Sequence, residues 1–331
     1  MKKHFQTVCI SYRKQWQNQK EEVLPQFTII MKDGIGDKPV NITFDSPSTY
    51  QGPVVEGWPP FKDRYMPHYI HPNEDTFLLR PPSTYFKGCK VLIAIHSRTE
   101  SLQERNQIRT TWKTGPSEAC VIFIIGQAPN QDEITKEASL YQDLLQANMV
   151  DHYYNLTLKS IFSLKFFLNE SNFEDLPQYL MKTDDDNYVN IPQLLKLLEA
   201  KELQSTSSFM IGHRWGTPRN PSVPKTDPNN KWFAPKYLFN GSSYPIFIAG
   251  AGYVTTRDAA ECLYDKALAL PYYFLEDVFM GFAAENCRIP RFHCTAFHNY
   301  QVPLDSVDTA DILWTGFHNN EMETMHKLFK N

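Results

Sequence analysis

From Lys90 onward, short apolar runs alternate with segments of helical period, and this alternation constrains the fold more than any other feature. KVLIAIHSR (Lys90 to Arg98) reads as a buried strand and QERNQIRTTW after it as a helix. VIFIIG is a second strand ending in glycine, followed by a helical DEITKEASLYQDLLQ and a short strand VDHYYN. LTLKSIFSLKFFLNE then sets Ile161, Leu164 and Leu168 on one helical stripe. QYLMKT is the next strand, and Pro192 sits near the start of the helix IPQLLKLLEA, where a missing N–H does no harm. FMIGHRW and FIAGAGYVTT read as further strands, with the helix RDAAECLYDKALA leading to EDVF. Strands alternating with helices predict a layered α/β sheet. No internal repeat is visible.

Residues 1–84 differ. They are rich in proline and aromatics and poor in periodic segments, which predicts a stem-like extension, with a catalytic domain at 85–331 and a boundary near Pro81-Pro82. The N-terminus contains no long apolar run, so no signal peptide or membrane span is expected there.

A net charge of −4 without a lysine or arginine run removes nucleic acid as a partner. Six cysteines permit disulfides without demanding them. Sequons at Asn41, Asn155, Asn169 and Asn240 suggest the secretory pathway.

Within LMKTDDDNYVN, Asp184, Asp185 and Asp186 are adjacent carboxylates that repel one another. They come directly after a strand, where ligands of open α/β sheets bind, and their oxygens suit a hard divalent cation. A solvated acidic turn is the competing reading. In FLEDVFMGF, Glu276 and Asp277 stand among apolar residues. A desolvated carboxylate there would be a general base, whereas acids in a first helical turn also serve the helix dipole alone. CRIPRFHCTAFHNY admits a structural zinc site in principle, but its spacing favours a disulfide or a histidine assisting a metal elsewhere. Gly250 and Gly252 in IAGAGYV allow close backbone approach to a ligand. Trp215, Trp232, Phe233 and Tyr237 in the long loop before them would stack on a sugar or anchor the loop. No dinucleotide fingerprint, phosphate loop, G-x-S-x-G or H-E-x-x-H is present. Arg98, Arg105 and Arg109 lie near the first strand, and helical i, i+4 spacing assigns the last two to packing.

In order, RNQIRTTW, FIIG, DHYYNLTLKS, YLMKTDDDNYVN, KWFAPKYL with YPIFIAGAGYV, and EDVFMG resemble the β1,3-galactosyltransferase and β1,3-N-acetylglucosaminyltransferase family, glycosyltransferase family 31. The resemblance spans most of residues 90–300. It implies a GT-A fold with a Rossmann-like nucleotide-binding half and a mixed central sheet. It also implies Mn²⁺ (or Mg²⁺), a UDP-sugar donor and inversion at the anomeric carbon. Carried over, Asp186 binds the metal, joined by Asp184 and by His298, while Asp184 and Asp185 face the ribose or donor sugar. Arg98, Gly250 and Gly252 fall beside the donor. Asp277 is the base, with Glu276 beside it. The activity implied is transfer of galactose from UDP-galactose to an acceptor 3-hydroxyl on a glycoprotein or glycolipid glycan. UDP-N-acetylglucosamine as donor, or a non-catalytic sugar-binding relative, stands as the alternative. The family location is the Golgi membrane. The chain departs from the family pattern in lacking a visible anchor, in Ala283 where a cysteine often stands, and in Glu104-Arg105 where an arginine pair is usual.

Overall fold

The computed structural model describes residues 64–115, 117–234, 238–299 and 321–330, together with backbone pairing at 29–30 and 314–316. Cys9, the sequon at Asn41 and Tyr237 lie outside the described residues. The elements begin with β1 (Ile29–Ile30), α1 (Pro67–Ile70), β2 (Phe77–Leu79), β3 (Val91–His96), α2 (Leu102–Thr110), β4 (Ala119–Gln127), α3 (Gln131–Tyr141) and β5 (Leu144–Val150). Next come α4 (Leu156–Leu168), β6 (Tyr179–Asp184), β7 (Asn187–Val189), α5 (Ile191–Leu198), α6 (Lys201–Gln204), β8 (Met210–Trp215) and β9 (Phe247–Thr256). The chain closes with α7 (Arg257–Ala269), α8 (Glu276–Asn286), β10 (Arg291–Cys294), β11 (Phe297–His298), β12 (Trp314–Gly316) and α9 (Met322–Lys330).

The main sheet runs β1-β10-β8-β9-β6-β3-β4-β5-β2. Strands β6, β3, β4 and β5 are mutually parallel, while β9 is antiparallel to both β6 and β8. This is the mixed α/β sheet that the alternation predicts. All six residues of β3 are buried. Leu92 and Ala94 pack on the face covered by α4, α7 and α8, and Val91, Ile93 and Ile95 on the face covered by α2 and α5. Parallel strands covered on both sides read as unbroken apolar runs for this reason, each full side-chain burial being worth about 1.5–3 kcal/mol. Chain order passes from β3 outward to β4 and β5, then returns to β6 on the other side of β3. That reversal opens a crevice at the carboxyl ends of β3 and β6, where ligands of such sheets bind.

Three local expectations differ from what is found. The third helix stops at Tyr141, with Gln142 left-handed at φ 54°, and Leu144–Val150 is strand, not helix and loop. Parallel pairing of Leu144 with Phe123 and Leu145 with Ile124 overrides local helix propensity. Consequently only Val150 of VDHYYN is in the strand, and its Tyr153–Asn155 form a 3₁₀ turn. Helix α4 is buried almost all round, so its polar residues Lys159, Ser160 and Ser163 are enclosed along with its apolar stripe. Between the aspartates and α5 the chain forms β7, which pairs with β12.

Described residues before Tyr85 join this architecture. β2 pairs with the edge strand β5, Met66 and Ile70 are buried in the core, and Lys165 donates to the carbonyls of Ile70, His71 and Glu74. Disulfides link Cys89 to Cys120 and Cys262 to Cys287. Cys287 therefore pairs outside the CRIPRFHC segment, and Cys294 is a buried free thiol. Asn155 is buried at the N-cap position of α4, where its amide donates to Val150 O at 2.9 Å and its side chain does not cap the helix. Asn169 and Asn240 are exposed. Among the described residues no helix is long and apolar enough to cross a membrane.

Candidate active site

The crevice is built from the turns that leave the carboxyl ends of β3 and β6. His96 at the end of β3 lies in register with Asp184 at the end of β6. Ser97, the next residue, donates its hydroxyl to Asp185 Oδ2 at 2.8 Å and so ties the two strand ends together. Ser97 is itself held from behind. Arg105 Nη1 donates to its hydroxyl at 3.0 Å, and Lys159 Nζ donates to its carbonyl at 2.7 Å and to Asp151 Oδ1 at 2.6 Å. Burial raises the Asp185 carboxyl above its ordinary range, against the lowering effect of the Ser97 bond.

The aspartate triplet is divided by its partners. Lys182 is buried in β6 and bonds to Asp184 Oδ1 at 2.7 Å and to the carbonyl of Gly250 on β9. Burial opposes its charge, but the carboxylates of Asp184 and Glu276 outweigh that and raise its pKa. Asp186 sits at the surface of the turn, and no ion pair among the described residues engages it. Although the residue is exposed, partial removal of its carboxyl from water, then repulsion from Asp184 and Asp185, push it up to about 6.

Helix α8 brings the second acidic pair to the same place. Glu276 and Asp277 form its first turn, as a dipole-serving pair would, yet both carboxyls lie against the sheet. Glu276 Oε1 accepts from Ser160 at 2.5 Å and from Tyr253 at 3.0 Å, and burial pushes it up to about 7. Asp277 is less enclosed. Its Oδ1 accepts from Val278 N at 2.8 Å, and burial raises its pKa while that bond, Lys182 and the Gly250 N–H oppose the rise. Gly250 is the joint: a Cβ there would lie 2.8 Å from Glu276 Oε2 and 3.3 Å from Asp277 Cβ. The close approach that this glycine permits is therefore to the chain's own acids. Gly252 is buried in the sheet, paired with Thr183.

His298 reaches the region through a small second sheet. It pairs in register with Thr315 of β12, which pairs with Tyr188, two residues beyond Asp186. Burial and the neighbouring His213 lower its pKa, favouring the neutral imidazole that ligates metals. Among the described residues no three His, Cys, Asp or Glu side chains are grouped to hold a metal by themselves. The donors nevertheless fit a hard cation held by few protein ligands and completed by ligand oxygens: carboxylates in mutual repulsion, with Asp186 turned outward. Arg98 is exposed beside the crevice and pairs loosely with Glu100 at 3.5 Å. Trp215 and Trp232 are exposed, and Phe233 is half-buried, bridged to Lys225.

The galactosyltransferase family model matches residues 103–295, which contain both the aspartate turn and the Glu276–Asp277 turn. This chain belongs to that family. Human β-1,3-galactosyltransferase 5 is 30% identical over 244 residues, covering 71% of this chain and 75% of that protein. Mouse β-1,3-galactosyltransferase 1 is 25% identical over 268 residues, covering 78% of this chain and 79% of that protein. Among solved structures, a 4-diphosphocytidyl-2C-methyl-D-erythritol synthase of Anaerococcus prevotii aligns over 75% of this chain and 99% of its own, at 10% identity. The TM-score is 0.39, a likeness that carries no argument.

In this galactosyltransferase-family chain, Lys182 is the residue that sequence reasoning missed. Its signal was present: a lysine inside YLMKTD, a strand with buried neighbours on either side. A buried ammonium requires carboxylate partners, and one acidic motif adjoins it while the other, at Glu276 and Asp277, is remote in sequence. Ser97, Lys159 and Ser160 were missed for a different reason. Each is unremarkable in sequence and becomes meaningful only through contacts across 88, 62 and 116 residues of chain. Arg105 and Arg109 pack in buried ion pairs with Glu137, as their helical spacing predicts.

Proposed function

We propose that the chain is an inverting β1,3-glycosyltransferase that moves galactose from UDP-galactose to the 3-hydroxyl of an acceptor glycan. The observation that carries this is the junction made by Lys182, which draws the aspartate turn after β6 and the acidic turn of α8 to one crevice. Asp184 and Asp185, fixed by Lys182 and Ser97, face the ribose and donor sugar. Mn²⁺, held by Asp186 with Asp184 and His298, would neutralise charge on the departing UDP. Asp277 accepts the proton of the acceptor 3-hydroxyl, since it is the less enclosed acid and its raised pKa strengthens it as a base. Glu276, committed to Ser160 and Tyr253, anchors the turn. Attack by that hydroxyl from the face opposite UDP, in one displacement, inverts the centre.

We take residues 1–84 as a stem-like extension, with its described helix and strand packed on the catalytic domain at 85–331. Two disulfides and exposed sequons at Asn169 and Asn240 fit work in the Golgi lumen on glycoprotein or glycolipid. The test is a donor screen of the purified chain with Mn²⁺, UDP-galactose and UDP-N-acetylglucosamine, with and without EDTA, against β-linked acceptors. Transfer from UDP-galactose that EDTA stops is expected. Transfer from UDP-N-acetylglucosamine alone would reassign the donor, and silence with every donor would end the enzymatic reading.

A further inference from the structure

Tyr153 opens the 3₁₀ turn after β5, and Trp232 lies in the long loop between β8 and β9. Both are large aromatics left open to water, at 39% and 52% exposure. They are nevertheless fixed. The Trp232 backbone N–H donates to Asn230 Oδ1 at 2.9 Å, and its neighbour Lys231 places Nζ 4.8 Å over the Tyr153 ring. Tyr153 packs edge-on against Tyr154 at 5.8 Å between centroids, and Tyr154 against buried Phe274 at 5.6 Å. Phe274 is two residues before Glu276, so this ladder of rings rests on the acidic turn of α8. The Tyr153 phenol lies within the electrostatic reach of Asp277 and Asp184.

A rigid, exposed aromatic face beside a charged crevice gains nothing for the fold by its exposure. The apolar C–H face of a pyranose would cover it, while the sugar's hydroxyls stay with polar groups. Lys231 already occupies one face of Tyr153, which leaves Trp232 as the stacking surface. We propose that Trp232 is the platform on which the acceptor sugar stacks, and that Tyr153 positions it so that the acceptor hydroxyl meets Asp277. This rests on the glycosyltransferase reading above and names the subsite that its acceptor uses.

The test separates acceptor from donor. Trp232→Ala is expected to raise the acceptor KM roughly three- to tenfold, the scale of one lost aromatic contact. The donor KM and the slow hydrolysis of UDP-galactose by water should hold at wild-type values. Trp232→Phe should recover most of the loss, and Tyr153→Phe, which keeps the phenyl ring and removes the phenol oxygen, should raise the acceptor KM by less than Trp232→Ala. An unchanged acceptor KM in Trp232→Ala, or a loss shared equally with donor hydrolysis, overturns the proposal. Saturation-transfer NMR with methyl β-galactoside and methyl β-N-acetylglucosaminide reads the platform without turnover. Signal on one sugar face in the wild type and its loss in Trp232→Ala supports the proposal, even if the donor screen fails. Absence of glycoside signal from the wild type, or equal signal in both proteins, overturns it.

Discussion

At Arg105 and Arg109 the chain buries guanidinium groups against Glu137 and Asp143, and Lys113 joins at Asp143. Each acid is matched: Arg105 takes both Glu137 oxygens at 2.7 Å, and Arg109 takes both Asp143 oxygens at 2.8 and 2.9 Å. Phe123 and Tyr141 close over the Arg109 guanidinium at 4.9 and 3.8 Å. At the crevice, Asp184, Asp186, Glu276 and Asp277 gather around one buried ammonium, Lys182, while Asp185 feels the buried Lys159. The two clusters meet at Ser97, which accepts from Arg105 and donates to Asp185. In the first every carboxylate is paired by cations, and the cluster makes structure. The second carries excess negative charge into a partly desolvated space, which raises several of its pKa values and suits the proposed cation and acceptor hydroxyl.

Asp277→Asn attacks the open cluster hardest. Loss of the base should lower transfer by about 10²–10⁴-fold while Mn²⁺-dependent UDP binding persists, and calorimetry that showed UDP binding lost as well would reassign the residue. Asp186→Ala should do the reverse first, abolishing metal-dependent UDP binding, and retained binding would move the metal elsewhere. In the structural cluster, Glu137→Ala strands Arg105, while Arg109 keeps Asp143. It should cost about 3–5 kcal/mol in a denaturant titration, because a buried charge without its partner is penalised. A loss confined to activity would erase the contrast between the clusters.

Glu276→Gln sharpens the comparison through pH. Folding lifts Glu276 from 4.5 to about 7, so between those values the native protein holds a proton that the unfolded chain has released. The stability carried by the neutral form is complete below 4.5 and is lost as pH rises through 7. In EDTA, Glu276→Gln should therefore match the wild type at low pH and gain on it progressively toward higher pH. A difference constant with pH would show that this carboxyl does not titrate in the window. Gly250→Ala is expected to be the mildest, at about 1–3 kcal/mol from crowding against Glu276 and Asp277. Its effect on transfer should exceed its effect on stability, since the displaced turn carries the proposed base.

Much of this was legible in the residues. The strand KVLIAIHSR reads as buried because both faces of β3 are covered, and EDVFMG reads as an acidic helix start because α8 begins there. The third helix overran into β5, because only pairing with β4 distinguishes LLQANMV from a continued helix. Local composition also left the aspartates in even contest between a solvated turn and a metal site, since both place carboxylates at a turn.

The sequence by itself determined the alternation of strand and helix, the order of the motifs and hence the family, because periodicity and local spacing are properties of neighbouring residues. The tertiary structure alone decided that Lys182 is the hinge of the acidic site, that Ser97 and Ser160 hold its carboxylates, and that Gly250 makes room for them. Those roles arise where the strand order reverses between β3 and β6 and where α8 closes on β9. There, burial and Coulomb attraction act between residues that the chain order keeps far apart.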